Sequence, residues 1–365
     1  MEYFLNIIYN LLLNLKSHVL RSGLMRVFIN GFGRIGRMTM RIAHQEKTFD
    51  FVGINDATYF DQLVHLCRYD TTYGKFDGLL EYEGPADDPT KGILTLGRHM
   101  LKPVTERDPS KLPLRDLNVD IVMDCTGTFK KREQAEMYFQ AGAKKVVQSF
   151  AGKDVDFTMI MGITHQNYDP RKHHIISNSS CTTNAMAPLV KILDENFKIV
   201  NGLMVTVHAY TPSQMLLDHY HKKDWRRARS AAENIIPTTS GASTEISNTF
   251  PHLKGKINGY AIRVPSPTVS IVDFVAQVEN PPKKVDEVNA LFSKAADNEL
   301  KNIIGYTELP LVSRDYFGCP LSSVIDGPLT DIKGNLIRVV SWYDNEWGYC
   351  CRLIDAVKYV AKLGF

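Results

Sequence analysis

Two groups of residues in this chain have the types and spacing to do chemistry, and the first is built around one thiol. Cys181 sits in Ser177-Asn178-Ser179-Ser180-Cys181-Thr182-Thr183-Asn184, just after the short apolar run His174-Ile175-Ile176. It is followed by Ala185 to Phe197, where Met186, Leu189, Val190, Leu193 and Phe197 recur at helical spacing. The pattern predicts a strand-to-helix turn with Cys181 at the helix start and Ser179 or Ser180 as its cap. A thiol there faces unpaired N–H groups and the positive end of the helix dipole, which favour thiolate and make a nucleophile. A lone cysteine is more often a small buried hydrophobe; here the hydroxyl and amide neighbours are wrong for an apolar pocket. A nucleophilic thiol needs a proton acceptor, and the oxygen it attacks needs a donor. His208 ends the alternating strand Gly202 to His208, and imidazole titrates in the range to serve as both.

The second group is a glycine loop. Arg26-Val27-Phe28-Ile29-Asn30 reads as a strand, Gly31-Phe32-Gly33-Arg34-Ile35-Gly36 follows at once, and Arg37 to Gln45 is helical in pattern. A second strand, Phe51-Val52-Gly53-Ile54, ends at Asn55-Asp56, and Asp56 lies 20 residues beyond Gly36. In a dinucleotide-binding unit Gly31 permits the tight turn, Gly33 lets the backbone approach a pyrophosphate, and Gly36 allows close helix–strand packing. The carboxylate of Asp56 accepts from both ribose hydroxyls and repels a 2′-phosphate, which favours NAD over NADP.

These residues require a particular scaffold. Val119 to Asp124 reads as a buried strand ending in Cys125-Thr126-Gly127-Thr128, Lys130 to Gln140 as a helix, and Ala143 to Val147 as the approach to another strand. Strands alternating with helices predict a mostly parallel sheet covered on both faces. Ligands bind at the carboxyl ends of such strands, which places Thr126, Gly127 and Ser149 near a cofactor and leaves Cys125 to the core. Downstream, Ala261 to Val264, Ser270 to Val278 and Asn335 to Trp342 alternate as half-exposed strands of an antiparallel sheet, with a covering helix over Lys284 to Asp297. The chain of 365 residues has room for two domains, and its 44% hydrophobic and 23% charged residues suit a folded enzyme. A net charge of +3 does not point to nucleic acid or membrane. Six cysteines without a CxxC pair read as free thiols in a reducing, cytoplasmic compartment.

From Met25 to Phe365 the chain resembles the phosphorylating glyceraldehyde-3-phosphate dehydrogenases. The motifs that carry the resemblance are Ile29 to Arg37, Ser180-Cys181-Thr182-Thr183-Asn184, Thr206-Val207-His208, Asn234-Ile235-Ile236-Pro237, Arg263-Val264-Pro265 and Trp342 to Tyr349. The resemblance implies a Rossmann-type α/β dinucleotide-binding domain over 25–179, joined by a C-terminal helix over 348–365. An α+β catalytic domain with a mostly antiparallel sheet would span 180–347. It implies that Cys181 forms a hemithioacetal and then a thioester, with His208 holding the thiolate as an ion pair. Gly31, Gly33, Arg34, Ile35, Gly36, Asp56, Arg107, Thr126, Gly127, Ser149, Asn345 and Tyr349 would serve the cofactor NAD, Asn345 orienting its carboxamide. Thr211, Ser213 and Arg263 would hold the substrate phosphate, and Ser180, Thr182, Ser240 and Gly241 the attacking inorganic phosphate. A homotetramer is implied as well.

Several positions depart from the family pattern. Ala185 replaces a frequent second cysteine, Ser240 a threonine, and Ala242-Ser243-Thr244 lacks a common lysine. Ser149-Phe150-Ala151-Gly152 alters a cofactor-side loop, and His219-Tyr220 matches neither the NAD-specific nor the dual-cofactor pattern, so the NAD reading rests on Asp56. Erythrose-4-phosphate dehydrogenase is the rival enzyme; Thr238-Thr239-Ser240-Gly241-Ala242 argues against it. A non-catalytic dinucleotide- or RNA-binding protein would not need Cys181, His208 and Asn345 together. The basic run His221 to Arg229 reads as a solvated or intersubunit face rather than a nucleic-acid patch. No cysteine or acid converges on His173-His174 or on His219 and His221, so no metal site is expected. Residues 1–24 read as an extension or misassigned start: apolar but interrupted by Asn6, Asn10 and Asn14, with no basic start and no cleavage site.

Overall fold

The computed structural model describes residues 24–85 and 88–365. The reading of residues 1–24 as an extension therefore lies almost wholly outside the described residues.

The first half alternates as its pattern predicts. Strand β1 (Met25–Asn30) leads through the glycine loop into α1 (Arg34–Ala43), and β2 (Phe49–Asn55) into α2 (Phe60–Arg68). A small ribbon, β3 (Tyr69–Asp70) and β4 (Gly74–Lys75), precedes β5 (Leu80–Glu83), β6 (Ile93–Leu96) and β7 (His99–Val104). Then come β8 (Ile121–Asp124), α3 (Arg132–Ala141), β9 (Lys145–Gln148), β10 (Phe157–Thr158) and β11 (Ile175–Ser177). They form a nine-stranded sheet ordered β10-β11-β9-β8-β1-β2-β7-β6-β5. It is parallel from β10 to β7. The β5–β6–β7 meander that extends it antiparallel has no periodic signature that marked it in the sequence. The central strands are buried on both faces, as parallel strands under helices must be.

The second half begins with α4 (Cys181–Phe197), followed by β12 (Ile199–Ala209), β13 (Ile236–Thr239), α5 (Ala242–Thr249), β14 (Ile257–Val264), β15 (Ser270–Val278) and α6 (Val285–Asp297). It ends with β16 (Ile304–Thr307), β17 (Ser323–Asp326), β18 (Asp331–Lys333), β19 (Leu336–Tyr343) and α7 (Trp347–Leu363). Seven of these strands run in the order β13-β14-β12-β15-β19-β17-β16, and β18 pairs with β19. The pairs are antiparallel except β12–β14 and β16–β17. Strand β15 buries every second residue, Ser270, Val272, Phe274, Ala276 and Val278, against α4, and leaves the others half-exposed.

Helix α7 returns to the first sheet. Its Leu353, Ile354, Ala356, Val357 and Val360 join the core formed by Val27, Ile29, Phe51 and Ile121. Fully burying each of the larger apolar side chains contributes on the order of 1.5–3 kcal/mol. The chain is thereby closed on itself, with the residues that precede α7 beside the glycine loop. Among the described residues, no helix is long and apolar enough to cross a membrane.

Candidate active site

The thiol is delivered by a strained turn. After β11 the chain passes through Asn178 and Ser179, whose φ of 56° is left-handed, and enters α4 at Cys181. The helix starts at Cys181, as expected, and of the two candidate caps it is Ser180 that serves, its Oγ accepting from the Thr183 N–H at 3.1 Å. The Tyr349 hydroxyl donates to the Ser179 carbonyl at 3.0 Å. Asn184 donates to the carbonyls of Asn178 and Ser180 at 2.9 and 3.0 Å. The turn is held from three sides.

Across it stands His208, near the end of β12, its Nε2 3.5 Å from the Cys181 sulfur. The parallel register of β12 and β14 sets Arg263 opposite His208, and Arg263 Nη1 lies 2.7 Å from His208 Nδ1 and 2.9 Å from the Ala209 carbonyl. Tyr343 connects the layers, its hydroxyl 3.0 Å from Thr182 Oγ1 on α4 and 2.9 Å from Thr206 Oγ1 on β12. Ser270 continues the line, accepting from the Ala209 N–H at 3.1 Å and donating to Asn345 Oδ1 at 3.0 Å. With its oxygen so engaged, Asn345 presents its NH2 group as donor.

The N–H groups of Cys181 and Thr182 and the Arg263 charge all favour thiolate, as the helix-end argument requires, yet burial outweighs them and holds the thiol above its ordinary range. Burial, with Arg263 second, pushes His208 down to about 3. Desolvation thus opposes both charges of the expected ion pair at once.

The cofactor residues meet in a cavity of about 330 Å³ lined by Gly31, Gly33, Asp56, Arg107 and Thr126, among others. Gly31 has φ +93°, and a Cβ there would lie 2.8 Å from the backbone of Cys125 and Thr126. A Cβ on Gly36 would come within 2.2 Å of the Gly31 carbonyl oxygen, so α1 packs on its own loop only as glycine. A Cβ on Gly33 would meet nothing within 4 Å: the space in front of the α1 N-terminus is open, as a pyrophosphate requires. Asp56 accepts from the Phe32 N–H through one oxygen, at 2.8 Å. The loop and donor set fit NAD. Gly127, at φ 65°, and Ser149 follow the ends of β8 and β9 as expected. Cys125, expected in the core, packs partly against it and also lines this cavity.

Other side chains of the expected set have partners within the protein. Arg34 is forked onto Glu346, with both contacts at 2.5 Å, and reaches Asp70 at 3.0 Å, so its guanidinium ties α1 to the start of α7. Ile35 packs toward the core. Tyr349 is buried and committed to Ser179, which makes it a support of the catalytic turn. Around Cys181, the Ser180 hydroxyl is engaged as the cap and Thr182 is shared with Tyr343. Thr211 and Ser213 pair at 2.9 Å just beyond the end of β12. Ser240 and Gly241 open α5, whose Glu245 accepts from the Ser179 hydroxyl at 3.2 Å.

Sequence reasoning missed Glu245, Tyr343, Ser270 and Arg227. Tyr343 lay inside a quoted motif, but its partners are 137 and 161 residues away and nothing local announces them. Arg227, from the run read as a solvated or intersubunit face, is bonded to Thr238 at 2.8 Å and its charge is felt at His208 and Arg263.

Comparison with known proteins agrees with this geometry. A family model described as glyceraldehyde 3-phosphate dehydrogenase, NAD binding domain, matches residues 25–132, and one described as the C-terminal domain matches residues 180–345. The chain is 48% identical over 340 residues to glyceraldehyde-3-phosphate dehydrogenase of Geobacillus stearothermophilus, covering 93% of this chain and 99% of the relative. It is 45% identical to glyceraldehyde-3-phosphate dehydrogenase 1 of Bacillus cereus over the same shares. Glyceraldehyde-3-phosphate dehydrogenase of Streptomyces coelicolor is 47% identical, covering 92% of this chain and 98% of the relative.

Proposed function

The chain belongs to the glyceraldehyde-3-phosphate dehydrogenase family, and on that basis we propose how its residues carry the reaction. The activity is the NAD-dependent oxidation of glyceraldehyde 3-phosphate, with inorganic phosphate, to 1,3-bisphosphoglycerate. Neither the erythrose-4-phosphate enzyme nor a non-catalytic protein is favoured. The observation that carries the residue assignment is the Cys181 sulfur at a capped helix N-terminus, 3.5 Å from His208 Nε2.

Cys181 adds to the aldehyde carbon as its proton passes to His208 Nε2. The imidazolium N–H and the N–H groups at the start of α4 face the oxyanion that develops. NAD, held by the Gly31–Gly36 loop, Asp56, Arg107 and Asn345, supplies the hydride acceptor when bound. The thioester on Cys181 keeps the acyl group activated until a phosphate oxygen attacks it and the sulfur leaves. Arg263, the half-buried cation whose charge reaches Cys181, takes the substrate phosphate with Thr211 and Ser213. Ser180, Thr182, Ser240 and Gly241 border the path of the attacking phosphate.

The domain division at 179/180, with α7 returned to the first domain, follows the two sheets and their cores. A homotetramer is supported by the exposed Leu216, Leu217, Tyr220, Trp225 and Ile235, an apolar set a lone chain leaves in water. A cytoplasmic setting suits the six free thiols. The test is NADH formation from glyceraldehyde 3-phosphate by the purified protein, with and without phosphate. Wild type should turn over and Cys181→Ser should not. Sustained turnover by Cys181→Ser would overturn the assignment.

A further inference from the structure

We propose that Glu245 is a positioning residue for the attacking phosphate. By holding the Ser179 hydroxyl, its carboxyl fixes the first turn of α5 against the catalytic turn and so sets the spacing between the two halves of the phosphate site. The proposal rests on the reading of Ser180, Thr182, Ser240 and Gly241 as the residues that border that phosphate's path.

The two halves come from distant stretches of chain: Ser180 and Thr182 open α4, and Ser240 and Gly241 open α5. A phosphate held by both needs their spacing constant, because hydrogen bonds weaken steeply away from their preferred geometry. Each half is secured on its own side. Ser180 caps α4, and Tyr349 and Asn184 pin the carbonyls of the catalytic turn. Ser240 Oγ accepts from the Ala242 N–H at 3.3 Å, and Ala242 and Ile246 join the core that also takes Ala185, Met186 and Leu189 of α4. Apolar packing of that kind is non-directional and does not fix how the α5 N-terminus is turned. Among the described residues, the polar link between the halves is Glu245 Oε2, one turn into α5, accepting from Ser179 Oγ at 3.2 Å across 66 positions of sequence.

Both partners suit that task. Ser179 is fully buried at φ 56°, so its hydroxyl leaves the turn in a fixed direction. Glu245 is half-buried, and among the described residues no cation pairs with it; burial pushes its carboxyl up, and the Ser179 hydroxyl is the group that opposes this. A half-buried carboxyl with a hydroxyl as its partner costs desolvation, and its charge would repel an incoming phosphate rather than attract it. What it supplies is therefore acceptor geometry. A Cβ on Gly241 would meet nothing within 4 Å, so the start of α5 faces open space that an anion can enter. Without Glu245 the catalytic turn keeps Tyr349, Asn184 and the Ser180 cap, whereas α5 loses its polar tie to that turn. Attack by Cys181 should then survive, and attack by phosphate should suffer.

The experiment separates the two half-reactions of the enzyme with NAD and glyceraldehyde 3-phosphate. The burst of NADH formed before phosphate is added reports attack by Cys181, and the KM for inorganic phosphate in steady turnover reports the acceptor site. Glu245→Ala should raise that KM at least about fivefold while its burst rate stays within about twofold of wild type. Ser179→Ala, which removes the hydroxyl and keeps the carboxyl, should raise the phosphate KM likewise and carries the test if Glu245→Ala does not fold. Glu245→Gln keeps an acceptor oxygen without the charge, and its KM for phosphate should return to the wild-type value or below. A burst slowed as much as phosphate use is weakened would make Glu245 a support of the thiol alone and overturn the proposal. A phosphate KM unchanged in Glu245→Ala and Ser179→Ala, or lowered alike in Glu245→Ala and Glu245→Gln, would overturn it too, the latter marking an effect of charge. Ser240→Ala with a wild-type KM for phosphate would instead sink the underlying reading of the phosphate site.

Discussion

Replacing Tyr349 by Phe separates two roles open to this residue, contact with the cofactor and support of the catalytic turn. Its hydroxyl is buried and donates at 3.0 Å to the carbonyl of Ser179, itself fully buried at φ 56°. A left-handed non-glycine residue costs about 1–3 kcal/mol and persists only where its surroundings fix it. Deleting the hydroxyl leaves that carbonyl unpaired in the interior, a loss of about 1–3 kcal/mol. Urea unfolding should register about 1–2 kcal/mol, since the Asn184 bonds to Asn178 and Ser180 still hold the flanks. If the turn relaxes by that energy, the competent placement of Cys181 is depleted and kcat falls by about fivefold to thirtyfold. KM for NAD should stay within about twofold. The measurements are urea midpoints and steady-state kinetics with NAD and glyceraldehyde 3-phosphate. Unchanged stability and kcat with a sharply raised KM for NAD would refute the reasoning and return Tyr349 to the cofactor.

Three further outcomes are expected. Glu346→Ala leaves Arg34 with Asp70 alone. The loss in urea unfolding should be about 2–3 kcal/mol, below that of a fully buried pair because Arg34 keeps 28% of its side-chain surface in water; a loss under about 0.5 kcal/mol would contradict it. Burial, opposed by the hydroxyl and N–H of Thr126, pushes the Asp124 carboxyl up to about 6. That folded value lies above the unfolded one, so stability is fully present below about pH 4 and falls by about 3 kcal/mol as pH rises through 6. Asp124→Asn should flatten this slope in urea midpoints, and a slope equal to wild type would count against it. Gly36→Ala forces its new methyl against the Gly31 carbonyl, 2.2 Å away, and so displaces the phosphate loop; NAD affinity by fluorescence titration should drop at least about tenfold, and wild-type affinity would disprove the packing argument.

What the sequence determined by itself was local. The glycine spacing, the strand before it and Asp56 after it specify a cradle of contiguous chain, because turn, helix start and ribose contact all lie within one strand–helix–strand unit. Ser180-Cys181 likewise declares a capped helix start, a matter of a few residues. Alternation marked β15 at its actual bounds, since a one-sided buried strand has period two. Tertiary structure decided everything that depends on who faces whom. The β12–β14 register set Arg263 on His208, Tyr343 bridged α4 to β12, and the side chains of Arg34 and Tyr349 found partners in Glu346 and Ser179. Burial then opposed the charged forms of both Cys181 and His208. A helix dipole can be read from the chain, but the water a folded chain excludes from a thiol and an imidazole is fixed only once distant strands close over them.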